Sequence, residues 1–334
     1  MAGRRLEAAP RAHWINPATM NGMASPEVSV VVATGDRHHR TRKCIEAVCN
    51  QAGIDDCEVL LLDGSPGDHS GLYTRFPNIR YVHIADRSLV GAERLQGLQL
   101  ARAPIVAYIE DHSAPRPGWL EAIRRAFARS EKIAVVNYAI ARRAESGYVF
   151  RALQMMQYGH WMLPARSGMI RYACHQNLAY RRELVTRICR DNDQLFESEF
   201  LIHRRLLAED WTIWFAADAV IDHANYDDLL AGCKGFNALR QVIGAGRANL
   251  GRWPPWKRRL WAAGMPLAPL LLLGRLARSV APRPALWGEF LLALPVMLLA
   301  QAWGALYEAR GYLRGFEGSR ETLLEAERYL ERAR

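Results

Sequence analysis

The pattern that most constrains the fold is an alternation of short apolar runs and helical segments between residues 28 and about 142. The apolar runs read, in chain order, VSVVVAT (28–34), CEVLLLDGS (57–65), NIRYVHIA (78–85), PIVAYIEDH (104–112) and KIAVVNYAIAR (132–142). Runs that are apolar on both faces are typical of strands covered by helices on both sides of a sheet. The alternation therefore predicts an α/β fold with a mostly parallel sheet flanked by helices.

Polar and acidic residues end three of these predicted strands. The first run continues into ATGDR (33–37), the second ends in DGS (63–65) and the fourth ends in EDH (110–112). In open parallel sheets, ligands bind beyond the carboxyl ends of the strands. Because all three polar ends fall on the same predicted edge, we expect a binding site there.

Two changes of composition divide the chain into three predicted parts. Residues 1–26 contain arginines but no apolar signal segment, so we expect a flexible arm. Residues 27–226 hold the α/β pattern, which ends in a last predicted strand before His223. Residues 227–334 are expected to be helical and membrane-associating, because the most apolar stretches of the protein lie there.

Arginines flank the two apolar stretches, 260–274 and 285–307, before, between and after them. A hairpin that spans the bilayer would conflict with the positive-inside bias, because its connecting loop is also basic. The pattern favours helices lying in the cytosolic interface of a membrane. Two alternatives remain open: helices that span the bilayer, and a buried helical pair in a soluble core.

The net charge of +10 is compatible with nucleic acid, anionic membrane or phosphate-bearing substrates as partners. Nucleic acid is disfavoured, because the basic residues are not interleaved with aromatic residues on one element. The six cysteines show no metal-site spacing, so we expect reduced thiols and a cytosolic location.

Five motifs in the right order resemble the family 2 glycosyltransferases, which have the GT-A fold. They cover residues 28 to 225 and read VSVVVAT, EVLLLDGS, VGAERLQGLQLARAPIVAYIEDH, CHQNLAYRREL and ESEFLIHRRLLAEDWTIWFAADAVIDH. The resemblance implies transfer of a sugar from a nucleoside diphosphate sugar, with Mn²⁺ or Mg²⁺ as the metal. Acidic ends of strands are common, so the order of the motifs carries more weight than any one of them.

The resemblance implies that Asp63 contacts the nucleotide base, and Thr34 and Ser65 are assigned to the same donor site. An aspartate at a strand end can accept from an imide N–H, but it can equally close a turn by accepting from backbone amides. Arg94 corresponds to a basic residue near the nucleotide, or is an ordinary arginine on a helix surface. Asn177 is assigned to the donor sugar, or caps the following helix.

The triplet Glu110, Asp111 and His112 corresponds to the metal-binding triplet of the family, which is usually richer in aspartate. Hard oxygen ligands suit Mg²⁺ or Mn²⁺ bridging a diphosphate. Asp111 and His112 are predicted as metal ligands and Glu110 as a donor contact, the alternative being a solvated acidic turn. His223 is a further predicted ligand, although an isolated strand-end histidine is often structural.

Glu199 lies where the resemblance places the catalytic base, and Glu197 is the second candidate. The base would take a proton from an acceptor hydroxyl as that oxygen displaces the diphosphate in line, which inverts the anomeric configuration. Residues two apart point to different sides of a helix, so we expect only one carboxylate to face the pocket. Alternatively, both belong to the first turn of a helix, where the dipole favours acidic residues.

The chain lacks the Gln-x-x-Arg-Trp motif of processive family members, which favours transfer of a single sugar. The apolar, arginine-flanked end predicts a lipid-linked or envelope glycan acceptor at the cytosolic face of a membrane. Two other hypotheses remain: a nucleotidyltransferase, which lacks support from a glycine-rich phosphate loop, and an inactive sugar-nucleotide-binding or scaffold protein.

Overall fold

The computed structural model describes residues 25–35, 38–76, 78–84, 90–190 and 194–332. The predicted arm, 1–26, lies almost wholly outside these described residues. The strands are β1 (Val28–Thr34), β2 (Cys57–Asp63), β3 (Ile79–His83), β4 (Ile105–Glu110), β5 (Ser113–Pro115), β6 (Ile133–Ile140), β7 (Gly168–Ile170), β8 (Leu178–Arg181) and β9 (Thr212–His223). The five apolar runs of the α/β pattern therefore all contain strands.

The helices follow the strands in the expected alternation and then dominate the last third of the chain. They are α1 (His38–Cys49), α2 (Val90–Leu100), α3 (Trp119–Ala128), α4 (Tyr148–Tyr158), α5 (Arg182–Cys189), α6 (Gln194–Glu197), α7 (Phe200–Ala208), α8 (Leu229–Leu250), α9 (Pro255–Gly264), α10 (Ala268–Val280) and α11 (Trp287–Arg332). The last of these is interrupted at Gly315, whose φ of 80° is not helical.

One mixed sheet runs through the α/β part in the order β3-β2-β1-β4-β8-β6-β9-β5, with β7 paired to β9. The first four strands in this order are parallel, as are β6 and β9, whereas β8 is antiparallel to both of its neighbours. The register sets Thr34 beside Asp63 and Ala33 beside Glu110. The mostly parallel sheet is confirmed, and its polar strand ends meet at one edge.

Both faces of the sheet are covered, which explains why its strands are apolar throughout. Val30 packs on one face with Ile45 of α1 and Trp119 of α3, and Val31 packs on the other with Leu98 of α2. Each fully buried side chain of this kind stabilises the fold by about 1.5–3 kcal/mol. The side chain of Trp119 is fully buried and belongs to the core.

The segment QLFESEFLIHRRLLAEDW differs from its prediction as one helix, because it forms α6 and α7 with a break at Ser198 and Glu199. The break lets two carboxylates reach the same neighbouring helix. Glu197 accepts from the backbone N–H of Gly91 in α2, and Glu199 pairs with Arg94 of α2. Tertiary polar contacts here override the continuous helical pattern of the sequence.

Helices α8 to α11 pack on one another and on α4. Arg240 of α8 donates to Gln301 and to Glu308 of α11, with Nη2 to Oε2 at 2.6 Å, and all three side chains are buried. Two stretches, Pro255–Val280 and Pro284–Phe316, are long and apolar enough to cross a membrane. In the apolar 18-residue segment of each stretch, only 22% and 39%, respectively, is buried. Most of this apolar surface therefore has no cover within the described residues.

Candidate active site

Asp63 forms the centre of a buried polar cluster at the end of β2. Its Oδ1 accepts from the backbone N–H of Ser65 at 2.9 Å and from the Ser65 hydroxyl at 2.6 Å, and its Oδ2 accepts from the Tyr81 hydroxyl at 2.7 Å. His38 and His69 contact the Ser65 hydroxyl at 3.2 and 3.0 Å, and their ring centroids are 4.0 Å apart. The cluster combines hydrogen-bonding groups with ring faces, which suits recognition of a heterocyclic base.

Thr34 connects this edge of the sheet to the acidic triplet. Its hydroxyl contacts the Thr41 hydroxyl at 2.6 Å and donates to Asp111 Oδ2 at 3.1 Å. The other oxygen of Asp111 contacts Nδ1 of His112 at 2.8 Å. Asp111 therefore fixes the orientation of the His112 ring, as carboxylates do for metal-binding histidines.

Glu110 lies at the centre of the second cluster. Its Oε2 is 3.0 Å from Nε2 of His223, which also contacts the Tyr158 hydroxyl at 2.8 Å. Asn177 forms two hydrogen bonds with Glu110. Its side-chain amide N–H donates to Oε2, and its side-chain carbonyl oxygen accepts from the Glu110 backbone N–H at 3.1 Å. Burial raises the pKa of Glu110, but His112, His223 and Asn177 more than offset this, and the pKa falls to about 2.

A divalent cation could be held here, because Glu110, His112 and His223 each offer one ligand atom and these atoms lie within 4.8 Å of one another. One carboxylate and two imidazoles form a donor set that fits Mn²⁺. The sequence predicted Asp111 as a ligand and Glu110 as a donor contact, whereas the structure brings Glu110 into the three-residue group. Asp111, in the turn after β4, contacts Nδ1 of His112 instead of joining this group.

Glu199, the predicted base, is fully buried in an ion pair with Arg94. Its Oε1 accepts from Arg94 Nη2 at 2.7 Å and from the Tyr180 hydroxyl at 3.0 Å, and its Oε2 accepts from the backbone N–H of Gln176 at 2.7 Å. Burial raises the pKa of Glu199, but the Arg94 guanidinium more than offsets this and holds the pKa below its usual range. The carboxylate is therefore charged at neutral pH.

His175 lies between Glu199 and solvent. Its Nδ1 is 3.7 Å from Glu199 Oε2, and its side chain is 34% exposed, whereas Glu199 is not exposed. Burial lowers the pKa of His175, so its imidazole is neutral at pH 7. His175 and His203 both line a cleft of about 1320 Å³. The cleft therefore reaches the immediate neighbourhood of the predicted base.

Glu197, the second candidate base, has a different environment. Its Oε1 accepts from the Gly91 backbone N–H at 2.5 Å, in the first turn of α2. A carboxylate in this position satisfies a backbone donor that has no partner within the helix and interacts favourably with the helix dipole. This geometry supports a structural role for Glu197.

Sequence reasoning did not select several residues that the structure brings to these clusters. His38, His69, Tyr158, His175 and Tyr180 all contact predicted site residues. His38 stands in the basic run RHHRTRK, and His175 immediately precedes the QN pair of a recognised motif, so both had a signal in the sequence. Tyr180 stands in the same motif as His175, whereas Tyr158, in the apolar helix α4, has no such signal.

The strand order and the acidic strand ends are those of a GT-A fold. Residues 29–189, just under half of the chain, match the model of Glycosyl transferase family 2.

Comparison with individual proteins agrees with this assignment. The chain is 26% identical over 174 residues to the proposed glycosyltransferase EpsH of Bacillus subtilis (strain 168), covering 49% of each protein. It thus spans about half the length of this curated relative. Its fold is similar to that of the mannosyltransferase PcManGT from Pyrobaculum calidifontis, whose structure holds GDP-Man and Mn²⁺. The two share 17% identity over 86% of each chain, with a TM-score of 0.53.

Proposed function

We propose that the protein is a metal-dependent, inverting glycosyltransferase that moves one sugar from a nucleoside diphosphate sugar to an acceptor hydroxyl. The observation that carries the proposal is that one GT-A domain brings together three groups of side chains. These are the Asp63 cluster for a base, the Glu110–His112–His223 group for a cation, and Glu199 beside an open cleft. The similar fold of PcManGT, solved with a nucleotide sugar and Mn²⁺, supports the assignment of the donor.

On the donor side, Asp63, Ser65 and Thr34 are proposed to bind the nucleoside, and Glu110, His112 and His223 to hold Mn²⁺ or Mg²⁺. The cation supplies positive charge that stabilises the diphosphate as it leaves. Asn177 keeps the Glu110 carboxylate in place through its two hydrogen bonds.

In the transfer step, the acceptor oxygen forms a bond to the anomeric carbon while the bond from that carbon to the diphosphate breaks. The nucleoside diphosphate leaves with the electron pair, and one in-line displacement inverts the configuration. The acceptor proton is proposed to pass to the neutral imidazole of His175, with the buried Glu199 carboxylate stabilising the resulting cation. Arg94 positions Glu199 through their ion pair.

Membrane association is proposed from the helices that follow the α/β part. Leu260, Leu270, Leu291, Leu298 and Leu306 are each at least 42% exposed, and similar exposed residues continue along α9 to α11. An apolar surface of this extent on a monomer marks contact with a lipid or a protein. Because the flanking residues are basic, we place this surface at the cytosolic face of a membrane, with a lipid-linked or envelope glycan as the acceptor.

A thermal-shift panel tests the donor assignment. UDP, GDP, CDP and dTDP are each added with and without Mn²⁺, and one of them is expected to stabilise the protein only when Mn²⁺ is present. The His223→Ala variant should lose this response, whereas Asp218→Asn, at an exposed aspartate paired with Arg125, should keep it. Failure of every nucleotide to stabilise the wild type would contradict the proposal.

Turnover separates an active enzyme from a protein that only binds the nucleotide sugar. With the stabilising nucleotide identified, release of nucleoside diphosphate from its sugar conjugates is compared between wild type, Glu199→Gln and His175→Gln. We expect release by the wild type and losses of about 100-fold or more in both variants, the usual scale for a general base. Donor binding without any release would favour the inactive, sugar-nucleotide-binding alternative.

A further inference from the structure

The cleft beside His175 is lined by an unusual concentration of arginines. Its seven arginines come from four regions of the chain and are Arg166, Arg171, Arg204, Arg247, Arg275, Arg278 and Arg283. The described residues that line it include no aspartate or glutamate. A concave surface with one sign of charge concentrates ligands of the opposite sign. The charge of the cleft therefore favours an anionic ligand.

Two of the seven arginines have structural partners. Arg247 pairs with Glu308 of α11 and also contacts the Tyr312 hydroxyl at 3.2 Å. Arg283 donates to the backbone carbonyls of Met162 and Gly159, at 2.8 and 2.6 Å. Arg247 therefore joins α8 to α11, and Arg283 joins the segment after α10 to the segment after α4.

The other five guanidinium groups are available to a ligand. Across the residues that the structure describes, no hydrogen bond or ion pair joins Arg166, Arg171, Arg204, Arg275 or Arg278 to a protein partner, and all five side chains are exposed. Guanidinium groups match the geometry of phosphate oxygens and can bind them through paired hydrogen bonds.

The histidines of the cleft add hydrogen-bonding groups and no charge at neutral pH. Burial lowers the pKa of both His160 and His203 to about 4, with nearby arginines adding to the effect at His160. The positive charge of the cleft therefore comes from arginine and stays constant across the physiological pH range.

The position of the cleft indicates the source of the anion. Its lining includes His175, which lies 3.7 Å from Glu199. Its lining also includes Leu272, Arg275 and Arg278 of α10, whose neighbours Leu270 and Leu271 are 65% and 63% exposed. A single helix thus offers cations to the cleft and an apolar surface beside it.

We propose that this cleft binds the phosphate or diphosphate group through which the acceptor is joined to a lipid. The acceptor sugar would extend toward His175, and the lipid chain would leave along the exposed leucines of α10. The proposal rests on the proposed function, because it identifies the acceptor of that reaction. The residues that line the cleft do not include those assigned to the donor nucleotide or its cation, so the arginines serve a second phosphate group.

Binding to vesicles tests the proposal. The full chain is titrated with phosphatidylcholine vesicles that carry geranylgeranyl phosphate, with vesicles that carry phosphatidylglycerol at the same molar fraction, and with inorganic phosphate alone. We compare wild type with two cleft variants, Arg275→Ala/Arg278→Ala and Arg166→Ala/Arg171→Ala. The control is Arg259→Ala/Arg314→Ala, which removes the same charge from exposed positions on α9 and α11 outside the cleft.

The wild type is expected to prefer the prenyl phosphate vesicles to the phosphatidylglycerol vesicles. Each cleft variant should lose about tenfold or more in affinity for the prenyl phosphate vesicles, since it removes two charge-assisted contacts. The control pair should retain this preference. The exposed, unpaired arginines make little contribution to folding, so the midpoint of thermal unfolding should stay unchanged in all variants.

Three results would overturn the proposal. Equal losses in cleft and control variants would show general attraction to an anionic surface. Unchanged affinity in both cleft variants would show that the arginines do not bind the head group. Inorganic phosphate that competes as well as the lipid phosphate would identify a free anion as the ligand. Prenyl phosphate binding without any response to nucleotides would refute the proposed function and leave the anion site standing.

Discussion

The buried pair between Arg94 and Glu199 yields the sharpest prediction about stability. The two side chains are 4% and 0% exposed, and Arg94 Nη2 lies 2.7 Å from Glu199 Oε1. Replacing Arg94 by methionine fills part of the same space with an apolar side chain, but it removes the guanidinium that lies over the rings of Tyr108 and Phe196 and leaves a carboxylate buried without its cation. Breaking such a pair costs about 3–5 kcal/mol of the free energy of unfolding.

The cost of this substitution should depend on pH. In the wild type the pKa of Glu199 is held below its usual range, so the pair contributes stability above the unfolded pKa of about 4.3. That contribution is lost as the pH falls. In Arg94→Met, the guanidinium no longer offsets the effect of burial, so the pKa of Glu199 rises and the folded variant is destabilised as the pH rises. The difference between the two proteins should therefore grow from pH 4 to pH 8.

Urea denaturation, followed by circular dichroism at several pH values, measures this difference. The double variant Arg94→Met/Glu199→Gln serves as the control, because it removes both charges and should recover part of the lost stability. A cost below about 1 kcal/mol at pH 8, as for an exposed pair, would refute the reasoning. A cost that is the same at pH 4 and pH 8, or that Glu199→Gln does not reduce, would refute it too.

Three further predictions concern folding, pH and metal. Gly91→Ala should lower the free energy of unfolding, measured in urea, by about 1–3 kcal/mol, because a Cβ at this position would collide with Glu197. The control is Gly288→Ala, whose Cβ would meet open space and should leave the stability unchanged. His203, with its pKa lowered to about 4, should make stability fall as the pH drops from 6.5 to 4, and His203→Gln should flatten that slope in a pH-dependent thermal scan. A chelator should abolish nucleotide-dependent stabilisation, and added Mn²⁺ should restore it; persistence of the shift in the chelator would count against a metal.

The sheet could be predicted from the sequence because its determinants are local. Strands buried on both faces are apolar at every position, and the parallel register then brings Thr34, Asp63 and Glu110 to one edge without further information. The family resemblance added the order of the motifs and the position of Glu199. The predicted domain boundaries and the roles of the individual site residues stay predictions.

The side-chain partners could not be predicted, because each depends on contacts between distant parts of the chain. Arg94 and Glu199 are 105 residues apart, and nothing in either segment indicates that a buried ion pair joins them. Whether Glu197 or Glu199 lies beside the cleft depends on how the α6–α7 break packs on α2. The anion cleft was missed for the same reason, since its arginines come from segments that are adjacent only in the folded protein.

The short segment 175–177 has a consequence for how the two substrates are brought together. The side chain of Asn177 is hydrogen-bonded to Glu110 of the proposed cation site. The backbone N–H of Gln176, one residue earlier, donates to the Glu199 carboxylate. Gln176 has a φ of 68°, a left-handed conformation that costs a residue with a side chain about 1–2 kcal/mol. A spacer of one peptide unit therefore sets the distance between the Glu110 carboxylate, proposed to hold the cation, and the Glu199 carboxylate, proposed to support His175 as proton acceptor. Lengthening this spacer by a single residue should uncouple the two, leaving each substrate able to bind and the transfer between them lost.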